Sequence, residues 1–142
     1  MNADRGRLLG IDYGERRIGL AISDPSGTIA SPAGTITRRA GKRPPIAEII
    51  RRANSLEARG FVIGLPLDGD GEETPRCAEA RAVGAELEKR TGLPVQLVDE
   101  RYSTATALRA IHEMGGSRRD RKEEVDALAA AVILQQALQR AG

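Results

Sequence analysis

Apolar and polar positions alternate with period two at the start of the chain. Over Leu8–Tyr13 this places Leu8, Gly10 and Asp12 on one face of a strand and Leu9, Ile11 and Tyr13 on the other. A second strand puts Ile18, Leu20 and Ile22 on one face and Gly19, Ala21 and Ser23 on the opposite one, with a tight Gly-Glu turn between the two strands. Residues 27–37 predict a third strand, placed at a sheet edge by Pro32. The period then becomes helical. Ile46, Ile49, Ile50, Ala53 and Leu56 recur at i, i+3, i+4 and i+7 spacings behind Pro44 and Pro45, and Gly60 is the expected stop. Phe61–Leu65 is apolar on both faces, the pattern of an interior strand in a covered parallel sheet.

Thr74 and Pro75 open a second helix that turns Ala80, Val83 and Leu87 to the core and stops at Gly92. Residues 94–100 predict a fifth strand. A further helix carries Ala107, Leu108, Ile111 and Met114, and a basic loop over 117–122 leads into an Ala/Leu/Ile-rich terminal helix. The order β-β-β-α-β-α-β-α-α predicts an α/β fold, a mixed five-stranded sheet with helices on its faces. Residues 1–142 are expected to form one domain.

Composition narrows the function classes. With one Phe, two Tyr and no Trp, the core must be aliphatic, and base stacking on an aromatic platform is disfavoured. A net charge of +2 is no polycation, so any phosphate-binding surface must come from local clusters: Arg16-Arg17, Arg38 to Arg43, Arg51-Arg52 and Arg118 to Lys122. Of these, Arg51-Arg52 read as solvated surface. The single Cys excludes an internal disulfide and a multi-cysteine metal site; Cys77 reads as a small helix side chain and His112 as a surface residue. No apolar run approaches the roughly 20 residues of a membrane span and the first residues do not read as a signal peptide, so a cytoplasmic protein is expected.

Three carboxylates occupy unusual places. Asp12 lies inside the first strand, where Asp is disfavoured, and the small residues beside it leave room for something bulky and cationic. Glu100 stands at the carboxyl end of the last strand, where ligand sites of open α/β sheets gather. Asp126 shares the apolar side of the terminal helix with Ala129, Ala130, Ile133 and Ala137. A buried charge there requires a compensating cation, a helix terminus or a metal. Oxygen ligands without His or Cys suit Mg²⁺ or Mn²⁺, and a two-ion site of this kind suits phosphodiester cleavage. Each acid also has a plain structural reading: Asp12 in a turn, Glu100 paired with Arg101, Asp126 on a helix dipole.

Gly10-Ile11-Asp12-Tyr13-Gly14 with Arg17-Ile18-Gly19-Leu20-Ala21, then Gly64-Leu65-Pro66, Asp99–Thr104, and Lys122 with Val125-Asp126 and Ala129-Ala130, resemble the YqgF/RuvX family. These are RuvC-like members of the ribonuclease H-like superfamily, and the match runs in order from Leu8 to about Leu138. The loop 67–73 departs from the family's Asn-containing loop, which bears on substrate contact. The resemblance implies a ribonuclease H-like fold and a metal-dependent nuclease. Its catalytic and metal-binding acids would be Asp12, Glu100 and Asp126, with Mg²⁺ or Mn²⁺ as cofactor. It also implies processing of the 5′ end of precursor 16S rRNA, with Holliday junction resolution on branched DNA as the alternative. Arg17, Arg101, Arg118, Arg119, Arg121 and Lys122 are the expected nucleic-acid contacts, in a monomer or homodimer. Two other classes remain in view. An actin-like ATPase would need a second such domain, and a non-catalytic RNA-binding module would not need the acids.

Overall fold

A computed structural model describes residues 6–14, 16–38, 43–65, 75–99 and 119–141. The described elements are β1 (Arg7–Tyr13), β2 (Arg17–Ser23), β3 (Ala30–Thr37), α1 (Ile46–Ser55), β4 (Ala58–Leu65), α2 (Pro75–Thr91), β5 (Val95–Asp99) and α3 (Arg119–Ala141). The helix expected over Ser103–Met114 lies outside the described residues.

The strands form a single sheet in the order β3-β2-β1-β4-β5. β1, β2 and β3 are an antiparallel meander, whereas β4 and β5 lie parallel to β1, so the sheet is mixed as its pattern predicts. The alternation read from the sequence is the alternation observed. Leu9, Ile11, Tyr13, Ile18 and Leu20 are buried under α1 and α2, together with Ile49, Phe61, Ile63, Val83 and Leu87. The opposite face, with Ala21, Val62 and Val98, is covered by α3 through Ala129, Ala130, Ile133, Leu134 and Ala137.

Three boundaries differ from expectation, each for a local reason. β3 begins at Ala30 rather than Gly27, because residues 24–29 close on themselves. The Asp24 carboxylate accepts from the backbone N–H groups of Thr28 and Ile29 and from the Ser26 hydroxyl. These bonds, the Ser26 one foremost, draw its pKa down to about 2. β3 is at the sheet edge, and its register with β2 slips by one residue between Pro32 and Thr35, where Gly34 has φ +94°.

α1 ends at Ser55, and Glu57 (φ +59°) turns the chain into β4. Gly60 is therefore not a helix stop; it lies within β4. A Cβ there would stand 2.8 Å from Leu8 Cδ2 and 3.3 Å from the Pro94 carbonyl oxygen, so the position is one of close packing. Finally, the basic run 119–122 is helical rather than a loop, since nothing between Arg119 and Asp126 breaks a helix.

Candidate active site

Asp12 is the penultimate residue of β1 and is 3% exposed. Backbone register fixes its surroundings: it pairs with Gly19 of β2 on one side and Gly64 of β4 on the other. The row continues through Gly64 to Val98 of β5. The carboxyl ends of the parallel strands β1, β4 and β5 are thus level, and Asp12 stands among them.

α3 approaches this row very closely. A Cβ on Gly19 would lie 2.0 Å from the Asp126 carbonyl oxygen, and one on Gly10 would lie 2.8 Å from Leu134 Cβ. Only glycine at both positions lets the helix backbone rest on the strands. The helix runs antiparallel to β1, with Asp126 at the Asp12 end and Leu134 beside Gly10. The small-residue face of β2, expected to leave room for a cationic group, is therefore filled mainly by α3 itself. What it achieves is to bring Asp126 against the residue directly paired with Asp12.

Asp126 lies seven residues after the first residue of α3, in its third turn, beyond the reach of the dipole at the helix N-terminus. Its compensating charge comes from the protein. The Arg17 Nε donates to Asp126 Oδ2 at 2.6 Å, with the two side chains 20% and 17% exposed. Arg17 is the first residue of β2, so the hairpin that carries Asp12 also supplies the cation that meets Asp126.

Of the other expected site residues, Glu100 follows β5 directly but lies, with Arg101 and Arg118, outside the described residues. Arg119, Arg121 and Lys122 are placed only as backbone positions in the first turns of α3, Lys122 one turn before Asp126. Asp12 and Asp126 are therefore the two expected acids that the described residues bring together. Both carry carboxylate oxygens, the donor type that a hard divalent cation takes. Among the described residues no group of three His, Cys, Asp or Glu side chains gathers.

A second polar cluster supports the site from the far face and was not anticipated from sequence. The Tyr13 hydroxyl donates to Glu79 Oε1 at 2.5 Å, and Arg38 Nη2 donates to the same oxygen at 2.5 Å. Arg38 Nη1 donates to the Gly14 carbonyl, its backbone N–H donates to the Arg16 carbonyl, and its guanidinium lies 4.7 Å from the centroid of the Tyr13 ring. Burial and the bond to Glu79 push the Tyr13 phenol well above its ordinary value. Desolvation opposes ionisation of Glu79, but the bonds from Tyr13 and Arg38 prevail and hold its carboxyl below the usual range. This cluster ties the end of β1 and the following turn to α2. The available signal was Tyr13 itself, since a phenol facing an aliphatic core at a strand end needs a partner for its hydroxyl.

Gln135 was also missed. On α3 its Oε1 accepts from the Ala30 N–H and its Nε2 donates to the Thr28 carbonyl, fastening the start of β3 to the helix.

A family model described as "RuvX: Holliday junction resolvase" matches residues 6–140. The chain belongs to the RuvX/YqgF family. This family member is 44% identical over 135 residues to a "Putative pre-16S rRNA nuclease" of Rhodobacter capsulatus, covering 95% of this chain and 84% of the relative. It is 41% identical over 141 residues to a protein of the same name from Koribacter versatilis, covering 99% and 92%. Among solved structures it resembles Thermus thermophilus RuvC in complex with a Holliday junction substrate, with a TM-score of 0.55, 16% identity and 96% of each chain covered. That likeness establishes the RuvC-like, ribonuclease H-like fold. Among the described residues of this family member, no helix is long and apolar enough to cross a membrane.

Proposed function

We propose that this RuvX/YqgF protein is a cytoplasmic, divalent-metal-dependent nuclease that processes the 5′ end of precursor 16S rRNA. The observation that carries the reading is the seating of α3 on Gly19, which sets Asp126 beside the strand residue paired with Asp12. Two acidic residues far apart in sequence are placed near the carboxyl ends of the parallel strands, Asp12 on β1 and Asp126 on the helix that rests on its strand partner, and Glu100 follows β5 in sequence. The names of the 44% and 41% identical relatives supply the RNA substrate.

Asp12, Asp126 and Glu100 would hold Mg²⁺ or Mn²⁺, most simply as a pair of ions. Such ions, when bound, supply Lewis acidity to the attacking water and to the leaving oxygen of an in-line displacement. The protein's part is to fix the acids on rigid elements and to place the scissile phosphate. Asp12 is held by β-pairing on both sides, and Asp126 by a helix seated on glycine. Arg101, Arg118, Arg119, Arg121 and Lys122 border the acids in sequence and would grip the phosphates flanking the cut, with Arg101 or Lys122 countering charge at the reacting phosphorus.

The second reading keeps the chemistry and exchanges the substrate for a four-way DNA junction. It is favoured by the family description and by the fold shared with Thermus thermophilus RuvC. Matched precursor-rRNA and four-way-junction substrates, each with Mg²⁺ and with Mn²⁺, separate the two. The RNA is expected to be cut and the junction spared. Asp12→Asn should lower cleavage by at least about 10³-fold, the scale of losing a principal electrostatic group, with an unchanged circular dichroism spectrum. Turnover retained by a folded Asp12→Asn protein would sink the assignment of the acids.

A further inference from the structure

The ion pair between Arg17 and Asp126 joins two residues for which the sequence predicts opposite tasks, Asp126 holding a cation and Arg17 contacting nucleic acid. We propose that Arg17 is the resident counter-ion of Asp126, and that a divalent cation and Arg17 compete for this carboxylate. Metal binding would then release Arg17 toward the substrate backbone. The inference rests on the metal-site reading of Asp126 given above.

The geometry supports an exchange rather than a fixed strut. Arg17 Nε reaches Asp126 Oδ2 at 2.6 Å, the closeness of a charge-assisted bond, yet both side chains keep about a fifth of their surface in solvent. A partly exposed pair of this kind is worth little in net stability, so it can be opened at small cost. Arg17 stands at the start of β2, where the β1–β2 turn meets the sheet, and a guanidinium has the reach to leave the carboxylate for a neighbouring phosphate. The turn itself does not need to move. Arg38 grips it from the other side, through the Gly14 carbonyl and the Arg16 carbonyl.

In the metal-free protein the pair keeps Asp126 compensated, as a partly buried carboxylate requires. With metal present the ion would neutralise the same carboxylate, and the freed guanidinium would add one positive charge available to the substrate. By linkage, metal and polyphosphate should each strengthen binding of the other, and the coupling should pass through Arg17.

Mn²⁺ binding by the full chain, followed through the loss of the free-ion electron paramagnetic resonance signal, tests this without any turnover. Arg17→Gln should bind Mn²⁺ at least about fivefold more tightly than wild type, the lower bound of typical coupling between sites. Arg16→Gln removes the same charge from an exposed neighbour and should change the affinity far less, which separates direct competition from general electrostatics. Arg17→Lys keeps the charge and should stay closer to wild type, giving a folded comparison if Arg17→Gln is destabilised.

In parallel, anisotropy of a fluorescent RNA hairpin should show equal affinities for wild type and Arg17→Gln in EDTA. With Ca²⁺ present, the wild type should gain more than the variant. Equal Mn²⁺ affinities in wild type and Arg17→Gln overturn the competition while leaving the metal site standing. An affinity for RNA in EDTA that already depends on Arg17 also overturns it. Absence of Mn²⁺ binding in every protein overturns both the inference and the metal-site reading beneath it.

Discussion

Toward α1 and α2 the sheet presents Leu9, Ile11, Tyr13, Ile18 and Leu20; toward α3 the same two strands present Gly10, Asp12, Gly19 and Ala21. The first face is filled by bulk, with branched side chains from two helices interlocking over it. The second is filled by proximity: an alanine-rich helix comes down until its backbone touches the strands. Bulk seals a face and leaves no polar opening. Proximity fixes the helix just as firmly, yet at the level of Asp12 it lays the backbone of Asp126 against Gly19, the strand partner of Asp12, where apolar bulk would otherwise stand. The lesson is that a sheet face can be rigid without large residues, provided that glycine makes the contact.

The sharpest way to break this contrast is Gly19→Ala. The new methyl meets a backbone oxygen at 2.0 Å, and neither the strand nor the helix can yield by a side-chain rotation. We expect a loss of about 4 kcal/mol, above the usual range for overpacking, measured by urea denaturation. Cleavage by the fraction that remains folded should fall as well, because α3 carries Asp126 with it.

A smaller effect comes from the cluster on the other face. Tyr13→Phe removes a hydroxyl bonded to a carboxylate and should cost about 2 kcal/mol at neutral pH. Its pH dependence has a definite sign. The Tyr13 phenol is raised above the unfolded value of 10.0, so its contribution is complete below pH 10 and drains as the pH climbs beyond it. Wild type should therefore lose its margin over Tyr13→Phe under alkaline conditions; a margin that stays constant from pH 8 to pH 11 would contradict the buried phenol.

The smallest effect should come from Gly84→Ala in α2, on the bulk-filled face. There the methyl would meet side-chain ends alone, those of Val95, Ile63 and Leu97 at 3.1, 3.3 and 3.7 Å. Mild crowding is set against the helix propensity gained, about 1 kcal/mol, so the melting curve should move by less than that in either direction. Two Gly→Ala changes on opposite faces of one sheet would thus differ by several kcal/mol.

Much of the fold was legible because strand alternation and helical spacing are both present in strong form. The facing of β1 and β2, the edge position of β3, the core residues of α1 and α2 and the buried side of α3 all follow from residue order. What was not legible depends on distance between elements. Nothing in the residues around Gly60 distinguishes a helix stop from a tight contact with Leu8. The small face of β2 reads equally well as space for a ligand or as a seat for a helix. For the site, Asp12 and Asp126 stood out because a carboxylate on an apolar face is costly, whereas Arg38 and Glu79 did not, each being an ordinary charged residue until the fold places it beside Tyr13. Arg17 was marked as basic and near the turn, but its bond to Asp126 joins positions 109 residues apart.

The irregularity of β3 has a bearing on how copies of the protein meet. An outer strand normally offers a row of unused donors and acceptors on which a second chain can add itself. Here Pro32 contributes no donor and the slip before Thr35 breaks the spacing of the row, so this border of the sheet is poorly suited to strand addition. Aggregation by edge-to-edge growth is thereby discouraged on this side of the sheet, which leaves β5 as the edge with a regular row.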